Sequence, residues 1–263
     1  EENLADLNAA LAANRNGEQA LIELVRSQGL VKVHFYMDLL KKYSAEKVRQ
    51  RLALLDHPVY KATEALDDGS LLCVTIRRNE QAEKPFTIDF SGSAGVHAGN
   101  LNGNEAIVQS VVVYVLRTLL AEKIPLNDGI LHPIELIIPK QSILKPDFPP
   151  NPLDCPAVVG GNVELSQRLT DTLLKAFEVV ACSQGTMNNT LFGNATFGYY
   201  ETVCGGCGAG KGFNGASAVH HHMTNTRITD PEIMELRYPV RLHRFEIRAH
   251  SGGKGQWNGG DGI

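Results

Sequence analysis

The sequence predicts an α+β fold with helices and strands segregated along the chain. Three observations carry this: two long helical stretches open the chain, the apolar period then switches from helical to alternating over 59–90, and afterwards further helices are separated by long Gly- and Asn-rich loops.

The first helix is expected over 3–28. Asn3 is a suitable N-cap, Leu4, Leu7, Leu11, Leu21, Leu24 and Val25 form a broken apolar stripe, and Gly29 is a stop. A second helix follows over 31–55, with Phe35, Leu39, Val48, Leu52 and Leu55 at helical spacing. The pair reads as a helical hairpin, assigned to a segment 1–58 ahead of an α+β core over 59–263.

Strands are expected over 59–65, 71–77 and 85–90. Asp67-Asp68-Gly69 and the polar stretch 77–84 separate them, so an antiparallel meander follows. Alternation places Phe86, Ile88 and Phe90 on one face and Asp89 with Ser91 on the other. After Asn100-Leu101-Asn102-Gly103-Asn104, a Val-rich helix is expected over 105–122 with Ile107, Val111, Tyr114, Val115 and Leu119 inward.

A short strand over 134–138 and a Pro-rich linker over 145–156 come next. Gly160-Gly161-Asn162 is expected to cap a helix with Leu165, Leu169, Leu173 and Phe177 inward and Glu164, Arg168, Asp171 and Lys175 outward. From Ser183 onward the chain is Gly/Asn-rich, with strands expected over 195–203 and 240–248.

Composition excludes several functions. A net charge of -4 without a basic cluster gives no reason to expect nucleic acid or an anionic membrane. The longest apolar run, 107–120, is broken by Gln109, Ser110, Arg117 and Thr118 and reads as a buried helix rather than a membrane span. Five cysteines, an odd number at irregular spacing, point to reduced thiols in a cytoplasm. The chain opens without Met and closes on Gly259-Gly260-Asp261-Gly262-Ile263, which reads as the start of a strand, so a piece of a longer protein is expected.

Cys204 to Gly212, CGGCGAGKG, combines a C-x-x-C pair with G-x-x-x-x-G-K. One C-x-x-C supplies at most half of a structural zinc site. His220 and His222, if on a strand, would share a face and could complete it, but no metal site is assigned against the simpler reading of free thiols in a tight loop. As a phosphate loop the stretch lacks the Ser/Thr after Lys211, and Gly212-Phe213-Asn214-Gly215 is a poor first turn of helix. Its glycines are expected to supply positive φ in a sharp turn.

Three neutral polar clusters are better candidates: the asparagines at 100, 102 and 104, the run Ser183 to Asn189, and His220 to Arg227. Individually such residues cap helices and turns. Together, with almost no lysine among them, they suggest a site that orients a neutral polar substrate through hydrogen bonds.

The motifs IDFSGS, GNLN, GGNVELSQR, SQGTMNN, YYETVCGG and HHHMTNTRITDPEIMELRYPV resemble the hydantoinase B/oxoprolinase family. The resemblance runs from the first helix to Gly262. It implies ATP-dependent opening of a cyclic amide such as a hydantoin or 5-oxoproline, with ATP handled by a partner A-type subunit of the actin-like ATPase class. It further implies that residues preceding Glu1 and following Ile263 belong to the whole protein, that the preceding region is the place for a divalent metal, as in the carboxylase members, and that the fragment alone need not be active. On this reading Asn100, Asn102, Asn188 and Asn225 orient substrate, while Asp89 or His222 supports water activation. Two alternatives stay open: a subunit of an ATP-dependent ketone carboxylase, and a scaffold whose first two helices dock the A subunit.

Overall fold

The protein is described here by a computed structural model covering residues 2–79 and 81–263. Helix α1 spans Glu2–Gln28 and α2 spans Leu30–Ala53. Gly29 joins them at φ 81°, a conformation suited to glycine. The helical pair is present, but the stripe on α1 is bare: Leu4, Leu7, Leu11, Leu21 and Leu24 are all exposed. On α2, Phe35 and Leu39 are exposed as well, and only the later part of the predicted stripe, Val48 and Leu52, enters the core.

Strands β1 (Val59–Ala65), β2 (Leu71–Arg78) and β3 (Phe86–Asp89) form the expected antiparallel meander, in register Tyr60 with Ile76 and Ile76 with Ile88. Helix α3 (Glu105–Thr118) then crosses over, and β4 (Ile134–Ile137) joins β3 in parallel, giving the order β1-β2-β3-β4. Asn104 caps α3 by accepting from the Ile107 N–H. The helix stops four residues short of the expected end: Arg51 Nε reaches across from α2 to bond the Leu119 carbonyl at 2.7 Å, and Arg117 bonds the Ile124 carbonyl at 3.2 Å.

Alternation gives the sheet one apolar face. Tyr60, Ala62, Leu72, Val74, Ile76, Phe86, Ile88 and Ile134 are buried against Val108, Val111, Val112 and Val115 of α3 and Leu165, Leu169 and Leu173. The last group belongs to a π-helical turn, Gly161–Leu165, continued by α4 (Ser166–Ala176). Gly160 stands at its N-cap without a side-chain bond, so Asn162 does not cap it as expected. A glycine is needed at 161 because a Cβ there would lie 2.6 Å from the Asn102 carbonyl oxygen.

Beyond the helices lies a third layer of loops containing the hairpin β5 (Asn188–Gly193) and β6 (Gly198–Val203), followed by the short helix α5 (Pro231–Arg237). The strand expected over 240–248 is not formed. Its alternating pattern finds no partner strand among the described residues, and without a ladder a strand's backbone groups stay unpaired. Phe245 and Ile247 are correspondingly exposed.

Candidate active site

Helix α4 is the hinge of the site because it is buried on two sides. Leu165, Leu169 and Leu173 face the sheet, while Gln167 and Asp171, one turn apart, face the loop layer and are equally buried. The expectation that Asp171 points to solvent is therefore corrected. Helical periodicity identifies the apolar face, but whether the opposite face meets water depends on what the later chain lays over it.

What covers it is the segment His220 to Thr224. Gln167 Nε2 donates to Thr224 Oγ1 (2.6 Å) and to the His221 carbonyl (3.3 Å), and its Oε1 accepts from the Met223 N–H (3.1 Å). These bonds bracket His222, which adopts φ 53°, a left-handed conformation that a non-glycine residue holds only with such support. The triple histidine therefore lies in a turn rather than on a strand, and His220 and His222 do not share a strand face.

The His222 ring is held on both nitrogens. Nε2 lies 3.0 Å from Asp171 Oδ1, and Nδ1 lies 3.4 Å from the Tyr114 hydroxyl on α3. Asp171 Oδ1 also accepts from the Ser183 N–H at 3.0 Å. The Ser183 hydroxyl oxygen sits 3.0 Å from His222 Nε2 and accepts from the Gly208 N–H at 3.0 Å.

Ser183 opens onto a cleft of about 380 Å³. Gln184 and Asn188, a backbone wall of Gly206 to Gly208, and Arg248, Lys254 and Trp257 line it. Gln184 Oε1 accepts from Asn188 Nδ2 at 3.0 Å, which ties the two amides together. Gly185 takes φ 76° beneath them, with the Arg168 guanidinium where a Cβ would project.

The glycines of CGGCGAGKG serve mainly a purpose other than positive φ. Only Gly212 has it, at 93°. A Cβ on Gly206 would lie 1.8 Å from the Gly260 carbonyl oxygen, and one on Gly208 would lie 1.8 Å from that of Ala181. The loop is a thin backbone sheet between 181–184 and 259–260. Gly210 and Phe213 close a tight turn at its end, and no helix begins there to aim its N-terminus at a phosphate, so these residues do not fit ATP.

Burial also disfavours the thiolate at Cys182, Cys204 and Cys207. Burial pushes Cys204 and Cys207 up, the Asp171 charge adding to the effect on Cys207, and burial takes Cys182 to about 11. Burial takes His221 down to about 4, and neither of its ring nitrogens has a partner among the described residues. Among those residues, no three His, Cys, Asp or Glu side chains are arranged to hold a metal.

Of the sequence-derived site residues, Asn188 lines this cleft and His222 contacts its lining residue Ser183. Asp89 does not. It lies on the opposite face of the sheet, across the core and helix layers from His222, where its carboxylate pairs with Arg77 at 2.9 Å and accepts from the Ser91 N–H at 2.9 Å. Burial alone would raise Asp89, but the bonds from Arg77 and Ser91 outweigh it and hold the carboxyl below its usual range. Asn102 is fully buried: its amide accepts from the His97 N–H and donates to the carbonyls of His97, Gly99 and Ala157. Asn100 and Asn225 are exposed and do not line the cleft. Sequence reasoning missed Asp171, Gln167 and Tyr114. The available signal was the run Ser166 to Thr172, whose polar side carries Ser, Gln and Thr where a solvated helix face would carry more Lys and Glu.

The family model described as Hydantoinase B/oxoprolinase matches residues 1–263. The chain belongs to the hydantoinase B/oxoprolinase family. It is 45% identical over 278 residues to 5-oxoprolinase 1 of Arabidopsis thaliana, covering all of this chain and 21% of that protein. This hydantoinase B/oxoprolinase chain therefore spans about a fifth of the length of that relative. Its fold is similar to that of an ATP-dependent caprolactamase from Pseudomonas jessenii (TM-score 0.77, 23% identity, 97% of this chain and 46% of that one). It is also similar to an acetone carboxylase (TM-score 0.70, 18% identity, 92% and 36%). No helix among the described residues is long and apolar enough to cross a membrane.

Proposed function

We propose that this chain supplies part of the substrate site of an ATP-dependent amidase that opens a small cyclic amide, a hydantoin or 5-oxoproline. The observation that carries the reading is the 45% identity to a 5-oxoprolinase along the entire chain. The cleft is chemically suited to the role. Ser183, Gln184 and Asn188 offer neutral hydrogen-bonding groups to a ring amide, Trp257 offers an apolar wall, and Arg248 with Lys254 offers counter-charge to a carboxylate.

A lactam carbonyl is a poor electrophile, so ring opening needs activation that these residues cannot provide. ATP would supply it, held by a partner A-type ATPase, since the glycine loop of this chain has no phosphate cradle. The job left to this chain is orientation: binding the ring through its amide edges and keeping it at the backbone wall.

The test is substrate-dependent ATP hydrolysis by the full-length protein with its ATPase partner. 5-Oxoproline or a hydantoin should stimulate it without bicarbonate. Stimulation by acetone only in the presence of bicarbonate would assign the protein to ketone carboxylation instead, and no response to either would leave the scaffold role.

A further inference from the structure

We propose that Ser183 is a substrate-binding hydroxyl, donating its hydrogen to a carbonyl oxygen in the cleft, and that Asp171 and His222 are positioning residues that aim it. The inference rests on the amide-orienting reading of the cleft and adds the residue and the atom.

The direction of the proton follows from the bonding around His222. A carboxylate can only accept, so the 3.0 Å contact with Asp171 Oδ1 places a hydrogen on His222 Nε2. With Nε2 protonated, Nδ1 takes the Tyr114 hydroxyl hydrogen in the neutral ring. Ser183 Oγ, also 3.0 Å from Nε2, therefore faces a donor and cannot give its own hydrogen there.

Its second contact is the Gly208 N–H, again a donor. Asp171 Oδ1 is occupied by the Ser183 N–H, and Oδ2 has no hydrogen-bond partner among the described residues, so the hydroxyl does not donate to that carboxylate. Oγ thus meets a protein donor at both of its contacts, the single Nε2 hydrogen being shared between it and Asp171 Oδ1. The O–H is left to point away from them, and Ser183 lines the cleft.

The arrangement argues against a nucleophilic serine. Nucleophile activation needs a base lone pair facing Oγ, with the acid on the other ring nitrogen. Here acid and serine meet the same nitrogen.

Two measurements on the full-length protein decide the matter. In the ATP-hydrolysis assay, Ser183→Ala should raise KM for 5-oxoproline roughly tenfold, as loss of one hydrogen bond would, with a smaller fall in kcat. Ser183→Thr, which keeps the hydroxyl, should recover most of it. His222→Gln should raise KM similarly, and adding Ser183→Ala to it should have little further effect. A collapse of kcat at unchanged KM in Ser183→Ala, or wild-type kinetics, overturns the proposal.

The second measurement needs no turnover. A thiol at the same atom, in Ser183→Cys, should be alkylated by iodoacetamide in the folded protein, with the label placed by peptide fragmentation. A position 183 that reacts only after unfolding overturns the orientation. Should the wild type respond to acetone and bicarbonate rather than to 5-oxoproline, the ring-opening reading fails. The Ser183 variants are then compared on acetone, whose carbonyl makes the same demand.

Discussion

Asp171 on α4 and His222 in the loop layer, 51 residues apart in the chain, meet at 3.0 Å in the protein interior. The carboxylate is fully buried and the His222 side chain is 9% exposed. A buried carboxylate is tolerated only when its surroundings donate to it, and here the donors are the His222 ring and the Ser183 backbone. That one pair ties the helix layer to the wall of the cleft.

Removing the Asp171 carboxylate should therefore be costly. Asp171→Ala leaves the Ser183 N–H and the His222 ring nitrogen unpaired in the interior and is expected to destabilise the protein by about 3 kcal/mol. Asp171→Asn keeps an acceptor at Oδ1 and removes a buried charge, so its effect should be much smaller. Chemical denaturation of both variants checks this, and equal losses would show that the charge rather than the hydrogen bonding matters.

Acid should loosen the same layer through His221. Its folded value of about 4 lies below the ordinary 6.5, so between these values the unfolded chain binds the extra proton. The stabilisation is fully present above pH 6.5 and declines as pH falls toward 4, by about 3 kcal/mol over the window. Unfolding free energies measured across this range should slope accordingly, and His221→Gln should flatten the slope.

The glycine loop should respond by position. Gly206→Ala and Gly208→Ala drive a Cβ into carbonyl oxygens and are expected to lose about 2 to 3 kcal/mol or more by overpacking. Gly212→Ala has open space around it and pays only for positive φ, about 1 kcal/mol. Thermal midpoints of the three variants, ordered otherwise, would refute the close-packing account.

Asp89 should matter for the sheet surface. Asp89→Asn breaks the pair with half-exposed Arg77 and is expected to cost about 1 kcal/mol or less, with turnover of the full-length protein near wild type. A large fall in kcat with unchanged stability would return Asp89 to the chemistry.

The meander, the Val-rich helix and the apolar side of α4 were legible because each follows from local periodicity. Thr75 opposite Asp89 and Ile76 opposite Ile88 repeat the alternation read from the residues alone. Asn104 behaves as a local cap, and Asn102, in the same short run, is consumed by backbone carbonyls up to 55 residues away. Nothing in the run distinguishes the two, because the partner carbonyls are placed by other elements. The segment 240–248 shows the same limit in reverse: its pattern is that of a strand, but a strand also requires a neighbour.

The sequence by itself determined the α+β class, the antiparallel meander of the first three strands and the membership of the family, since these reside in periodicity and contiguous motifs. The tertiary structure alone decided that Asp171 faces inward, that Asp89 and His222 stand on opposite sides of the helix layer, and that Ser183 lines a cleft. Those facts depend on which surfaces the chain lays against α4, and burial and hydrogen bonding are properties of that juxtaposition rather than of any local run of residues.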